Sequence, residues 1–243
     1  QERDILLMTH IVLGYPNFDD SRRAVEAMVE AGVDLMELQI PFSEPIADGP
    51  VILRANQASL VGGSTVEKCL DFAQQVSQRF DIPFVLMTYY NILFKFGVAR
   101  FARRMADAGL AGSIVPDLPP EEAEGYLEAM RQDGLAPVFI FSPNTSDARM
   151  RLIADRAEGF VYCVARKGVT GEATSFSDSF AAYLSRCRAA TELPLALGFG
   201  VKTRTDVDFL RGQVDIAVVG TETLRVIDER GVGGVREFVE GLR

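Results

Sequence analysis

The sequence predicts an α/β protein of the (β/α)8 or TIM-barrel class, and three observations carry that prediction. Eight short runs rich in β-branched and apolar residues recur along the 243 residues. Amphipathic helical stretches separate most of them, as a parallel sheet covered by helices requires. Several helix-to-strand junctions also repeat one local pattern, each with a glycine where a helix would end.

In order, the strand runs are LLMTHIVL, DLMELQI, PFVLMTY, GSIVPD, APVFIF, GFVYCVA, LPLALGF and DIAVVG. Helical periodicity is clearest in SRRAVEAMVEA, VARFARRMADA and EEAEGYLEAMRQD. The repeating junctions are EAGVDLMEL, DAGLAGSIV, QDGLAPVFI and RGQVDIAVV. Eight strand–helix units in this length suit a closed barrel. A doubly wound open sheet would carry an early G-x-G-x-x-G turn, and LGYPNF after the first strand is not one. No linker or composition break divides the chain, so residues 1–243 are expected to form one barrel domain with a short or missing N-terminal helix.

Composition narrows the function. Hydrophobic residues make up 48% and charged residues 24%, as in ordinary globular proteins. A net charge of −9 argues against nucleic acid and anionic membrane surfaces as partners. No apolar run approaches the roughly 18–20 residues that span a bilayer, and QERDILLMTH does not read as a signal peptide. Cys69, Cys163 and Cys187 have no metal-type spacing and read as packed thiols of a reducing, cytoplasmic compartment. With His10 the single histidine, a zinc site or a Ser-His-Asp triad has little to draw on, and no metal site is expected.

The segment ELQIPFSEPIADGP holds the chemistry. If Met36, Leu38 and Ile40 face the helices, then Leu35, Glu37 and Gln39 point into the barrel. Glu37 then lies near the C-terminal end of its strand, where barrel enzymes build their sites. Burial there raises a carboxyl pKa and fits it for proton transfer near neutrality. Asp48 follows in a proline-stiffened loop, and two carboxylates in unlike environments suit a division between acid and base. The plainer alternatives are an internal Lys or Arg partner for Glu37 and a turn or helix cap for Asp48.

Glycine turns follow the later strands. GFGVKT comes after the seventh, VVGTETL ends the eighth, and the ARKGVTGEATSF loop after the sixth is a candidate lid. Loops after strands seven and eight commonly bind phosphate in this fold, using backbone N–H groups and a helix N-terminus. Arg166 and Lys167 in the lid read as solvated charges, and His10 reads as core or pocket lining on the face shared by Met8 and Val12.

These stretches together resemble the tryptophan synthase α-subunit family along nearly the whole chain. LGYPNFDDS, ELQIPFSEPIADGPVI, the YNILFKFG region, VPDLPPEE, FIFSPNTSD, Y-x-x-x-R-x-GVTG, GFGV and VVGT carry the resemblance. It implies a lyase that splits indole-3-glycerol phosphate into indole and glyceraldehyde 3-phosphate by a retro-aldol step. Glu37 would be the acid/base, and Asp48 would stabilise charge at the indole N–H. A hydroxyl proton must also leave, through Glu37 or water. Tyr162, Ile52 and Met87 would enclose the indole, with His10 at the same pocket. Gly171, Gly200, Gly220 and Thr221 would grip phosphate, and Thr170 would position Asp48. The resemblance further implies a β subunit partner in an αββα assembly, contacted through Phe42, Glu44, Pro45, Asn91 and Pro119. Pyridoxal phosphate would belong to that partner, with no cofactor on this chain.

Four positions depart from the family pattern. His10 stands where phenylalanine is common, Gln39 where glycine is frequent, Glu44 where aspartate is usual, and VVGTE replaces a Gly-Ser-Ala turn. Those at His10 and Glu222 give standing to one rival, a regulatory partner that turns over poorly; the other rival, another phosphate-binding barrel of aromatic amino-acid biosynthesis, is opposed by the Glu37/Asp48 segment.

Overall fold

The computed structural model describes residues 4–164, 178–198 and 200–243. Eight parallel strands close on themselves in sequence order, β8 pairing back to β1. The strands are β1 (Leu6–Val12), β2 (Leu35–Gln39), β3 (Phe84–Met87), β4 (Gly112–Ile114), β5 (Ala136–Phe141), β6 (Val161–Val164), β7 (Leu195–Gly198) and β8 (Ile216–Val219). Each falls within one of the eight predicted runs.

The helices are α1 (Phe18–Glu30), α2 (Pro50–Val61), α3 (Val66–Arg79), α4 (Tyr90–Phe96), α5 (Val98–Asp107), α6 (Glu124–Gln132), α7 (Asp147–Ala154), α8 (Asp178–Ala190), α9 (Arg204–Leu210), α10 (Thr221–Arg230) and α11 (Val235–Glu240). Asn17 caps α1 by accepting from the Asp20 N–H, and Thr203 and Asp206 form a reciprocal capping box on α9. The predicted helix at EEAEGYLEAMRQD is shorter than expected. A 3-10 turn over Pro120–Glu122 precedes it, and regular helix begins at Glu124. Pro120 gives the first turn no backbone donor, and Ala123 at φ −90° and ψ 2° leaves the helical basin.

The junction glycines behave as the repeat predicted. Gly32 stands just past α1 at φ 89°, and the Val33 N–H bonds the Met28 carbonyl, a left-handed close. Gly109, Gly134 and Gly212 take the same hand after α5, α6 and α9.

Alternation along the strands makes two apolar layers. Met36, Leu38, Ile40, Leu86, Phe141, Leu197 and Val219 join the layer against the helices. Met8, Leu35, Val85, Ile114, Val138, Ala196 and Ile216 fill the barrel interior. Both are almost wholly buried, and each large side chain so placed contributes on the order of 1.5–3 kcal/mol. One face assignment changes: Val12 packs with the outer layer rather than with Met8, because β1 ends there and the chain turns outward into Leu13.

Candidate active site

Glu37 and His10 are direct partners in the β1–β2 register, both inward, one layer above Met8 and Leu35. Glu37 is 6% exposed and His10 is 3% exposed. Both line a cavity of about 240 Å³ at the C-terminal ends of the strands. Asp48, Ile52, Met87, Tyr162, Gly200, Gly220 and Thr221 line the same cavity, so the described predicted residues converge on one place. Thr170 and Gly171, with Arg166 and Lys167, lie outside the described residues.

The two acids are held differently. Glu37 has no ion pair among the described residues, and its Oε2 is buried without a hydrogen bond. Burial pushes its carboxyl above the usual carboxylate range; the neighbouring His10 opposes that, and Asp48 adds to it. Asp48 caps nothing, since Gly49 is the N-cap of α2. Its Oδ2 instead accepts from Gln39 Nε2 at 2.6 Å and from the Tyr89 hydroxyl at 3.2 Å. Burial raises its pKa as well, with the Gln39 bond, His10 and the Tyr89 bond pulling the other way. The donors at Asp48 favour its ionised form and Glu37 has none, so of the two Glu37 is the better placed to hold a proton.

Tyr162 reaches the cavity because Gly198 stands opposite it. A Cβ at Gly198 would sit 2.5 Å from the Tyr162 hydroxyl, closer than atoms tolerate. Burial and the two nearby acids keep that phenol protonated. At the other end of the cavity α10 begins, with Gly220 as its N-cap and Thr221 as its first residue. Backbone N–H groups and the helix dipole there favour an anion. Thr223 anchors this turn, its Oγ1 donating to the His10 carbonyl at 3.0 Å.

The cavity thus joins an acid pair in an apolar pocket to an anion-binding turn. Residues 1–239 match the family model for the tryptophan synthase alpha chain. The chain belongs to that family. The tryptophan synthase alpha chain of Syntrophotalea carbinolica is 63% identical over 242 residues, covering 100% of this chain and 96% of that one. That of Desulfotalea psychrophila is 53% identical over 243 residues, covering 100% and 96%. Among solved structures, the tryptophan synthase a2b2 complex of Pyrococcus furiosus superimposes with a TM-score of 0.91 at 32% identity, covering 98% of this chain and 97% of that chain. A Mycobacterium tuberculosis tryptophan synthase gives 0.90 at 32%, covering 98% and 91%.

Within this alpha chain, sequence reasoning missed Tyr89, Lys202 and the role of Gly198. Tyr89 was inside a quoted strand run, yet only folding brings it to Asp48, 41 residues away. Lys202 lines the cavity beside Gly200, and its position directly after GFGV was the available signal. Glu222 lines the same end and pairs with Arg225 at 3.4 Å, which offsets the charge it brings. Among the described residues, no group of three or more His, Cys, Asp or Glu could hold a metal ion. No described helix is long and apolar enough to cross a membrane.

Proposed function

We propose that Glu37 and Asp48 divide between them the reaction of this family. The chain is a carbon–carbon lyase of tryptophan biosynthesis that cleaves indole-3-glycerol phosphate to indole and glyceraldehyde 3-phosphate. Glu37 donates its proton to the ring carbon that bears the glycerol chain. The ring nitrogen becomes cationic, and the ionised Asp48 stabilises it through the N–H. The carbon–carbon bond then breaks, its electron pair restoring the aromatic ring, while the adjacent hydroxyl loses its proton and becomes the aldehyde. Ile52, Met87 and Tyr162 enclose the indole, and Gly200, Gly220 and Thr221 hold the phosphate, with Thr170 and Gly171 assigned to the lid by resemblance alone.

One observation carries this reading: Glu37 is a buried carboxyl lining the cavity, one of its oxygens has no hydrogen-bond partner, and burial raises its pKa above the usual carboxylate range. The chemistry is pure proton transfer, and we assign this chain no cofactor. Its partner is a tryptophan synthase β subunit in an αββα assembly, which would carry pyridoxal phosphate. The Pyrococcus furiosus a2b2 complex supports that assignment. Glu44, Asn91 and Pro119 are exposed, Phe42 is half-buried and Pro45 is buried; Asn91 lies in α4 after β3, and the others lie in the loops after β2 and β4. Exposed Ile46 and Phe94 lie in the same segments and suit such an interface. The three buried free thiols fit a cytoplasmic home, and residues 1–243 act as one domain.

The test is indole release from indole-3-glycerol phosphate by the isolated chain, then with a tryptophan synthase β subunit added. Turnover that rises with the β subunit and disappears in Glu37→Gln is expected. Near-normal turnover in Glu37→Gln would sink the assignment, and β binding without any cleavage would favour a regulatory partner.

A further inference from the structure

The cavity holds a second proton-transfer group that the two acids do not account for. His10 is buried and lines the cavity, and its Nδ1 has no hydrogen-bond partner. Its other nitrogen, Nε2, lies 2.8 Å from Gln39 Oε1. Four hydrogen bonds settle which nitrogen carries the hydrogen. The Ala47 N–H can only donate, and it donates to the Tyr89 hydroxyl at 3.1 Å. Tyr89 therefore turns its own hydrogen to Asp48 Oδ2, which also accepts from Gln39 Nε2. With the Gln39 amide oxygen towards His10, Nε2 carries a hydrogen, and in the neutral ring Nδ1 is the acceptor.

The position of Nδ1 identifies what it meets. A Cβ at Gly220 would lie 3.8 Å from His10 Cβ and 3.9 Å from Cγ and Nδ1, so this edge of the ring lies beside the Gly220 turn, while Nε2 lies at Gln39. A substrate with its ring nitrogen at Asp48 and its phosphate at Gly220 must run its glycerol chain past His10. The hydroxyls of that chain are the donors a buried lone pair requires.

Resting on the lyase reading above, we propose that His10 Nδ1 accepts the side-chain hydroxyl proton during cleavage, with Gln39 as the positioning residue that holds its tautomer. Glu37 gives one proton to the ring carbon, and His10 takes one from the hydroxyl whose oxygen becomes the aldehyde. The bonding pair of the broken bond stays with the ring. Product release leaves a carboxylate and an imidazolium as register partners on adjacent strands, and one proton passed between them restores the starting state. The other titratable groups at this site are Asp48, Tyr162, Lys202 and Glu222, with Tyr89 bonded to Asp48.

The experiment follows indole release with the full chain and its β subunit. His10→Gln and His10→Phe should each lose about 10²-fold in kcat, and His10→Phe should also raise KM by up to about tenfold. Binding provides the second measurement, made with Glu37→Gln so that substrate is held without turnover. That protein should prefer indole-3-glycerol phosphate over the indolylalkyl phosphate lacking the side-chain hydroxyls by about tenfold, and adding His10→Phe should erase the preference. Turnover in His10→Phe within about twofold of wild type overturns the proposal. So does a slow variant that keeps the hydroxyl preference. A wild type that binds substrate but releases no indole would defeat the lyase reading instead, and the hydroxyl preference would still test His10 alone.

Discussion

Two residues of strand separate two unlike regions of the barrel interior. On the lower layer Met8, Leu35, Val85, Ala196 and Ile216 pack as hydrocarbon. Two residues further along β1 and β2 stand His10 and Glu37, with Gln39 a further two residues on, and Tyr162 and Gly198 line the same cavity. Backbone geometry and register run on unchanged between them, so the difference lies in side-chain chemistry alone. The lower layer satisfies its buried groups by having no polar ones, whereas the upper leaves Glu37 Oε2 and His10 Nδ1 buried without partners. Height along the barrel axis therefore sorts residues that hold the fold from residues that strain it for chemistry.

The sharpest way to break this comparison is Glu37→Gln, which should cost about 10³-fold or more in turnover. It should also stabilise the fold at neutral pH, and the sign follows from burial. Burial raises the folded pKa of Glu37, so the unfolded chain ionises first as pH rises. The stability linked to the neutral carboxyl is complete below about pH 4 and is lost as pH climbs through the raised folded value. Thermal melts should show the variant gaining on the wild type above that range and the gain disappearing below it. A difference constant with pH would mean that Glu37 is ionised in the folded protein.

Leu35→Ala attacks the lower layer, and chemical denaturation should register a loss of about 2–5 kcal/mol. Turnover per folded molecule should hold, and a parallel fall would show that the layers are not separable. Gly198→Ala lies between the two cases. Its new methyl must displace Tyr162, costing about 1–3 kcal/mol and raising KM for the indole substrate. Thr223→Val is the mildest, removing one buried hydrogen bond to the His10 carbonyl at about 1 kcal/mol, readable as a small shift in denaturation midpoint.

Much of this was legible from local pattern. The eight strands, the left-handed junction glycines and the inward aim of Glu37 all follow from periodicities that a few neighbouring residues set. The convergence of Glu37, Asp48, Gly200 and Gly220 followed from knowing which end of a barrel carries its site. What stayed hidden depends on contacts between distant segments. Gln39 drew notice as an inward polar residue, but its bonds to His10 and Asp48 exist only once β1, β2 and the loop after β2 meet. The shortened α6 escaped because the apolar spacing of EEAEGYLEAMRQD continues across a backbone break that the proline next to it starts.

The mounting of the two acids has one more consequence. Glu37 is bolted to a closed cylinder of strands, whereas Asp48 rides on a loop steadied by Gln39 and the Tyr89 hydroxyl. The Phe42 ring, half-exposed at the rim, stacks on Tyr89 with centroids 5.0 Å apart. A push on Phe42 therefore reaches Asp48 through one aromatic ring and one hydroxyl, and it has no comparable lever on Glu37. A neighbour gripping the rim would bear on Asp48 before Glu37, so of the two acids Asp48 has the movable mount and Glu37 the fixed one.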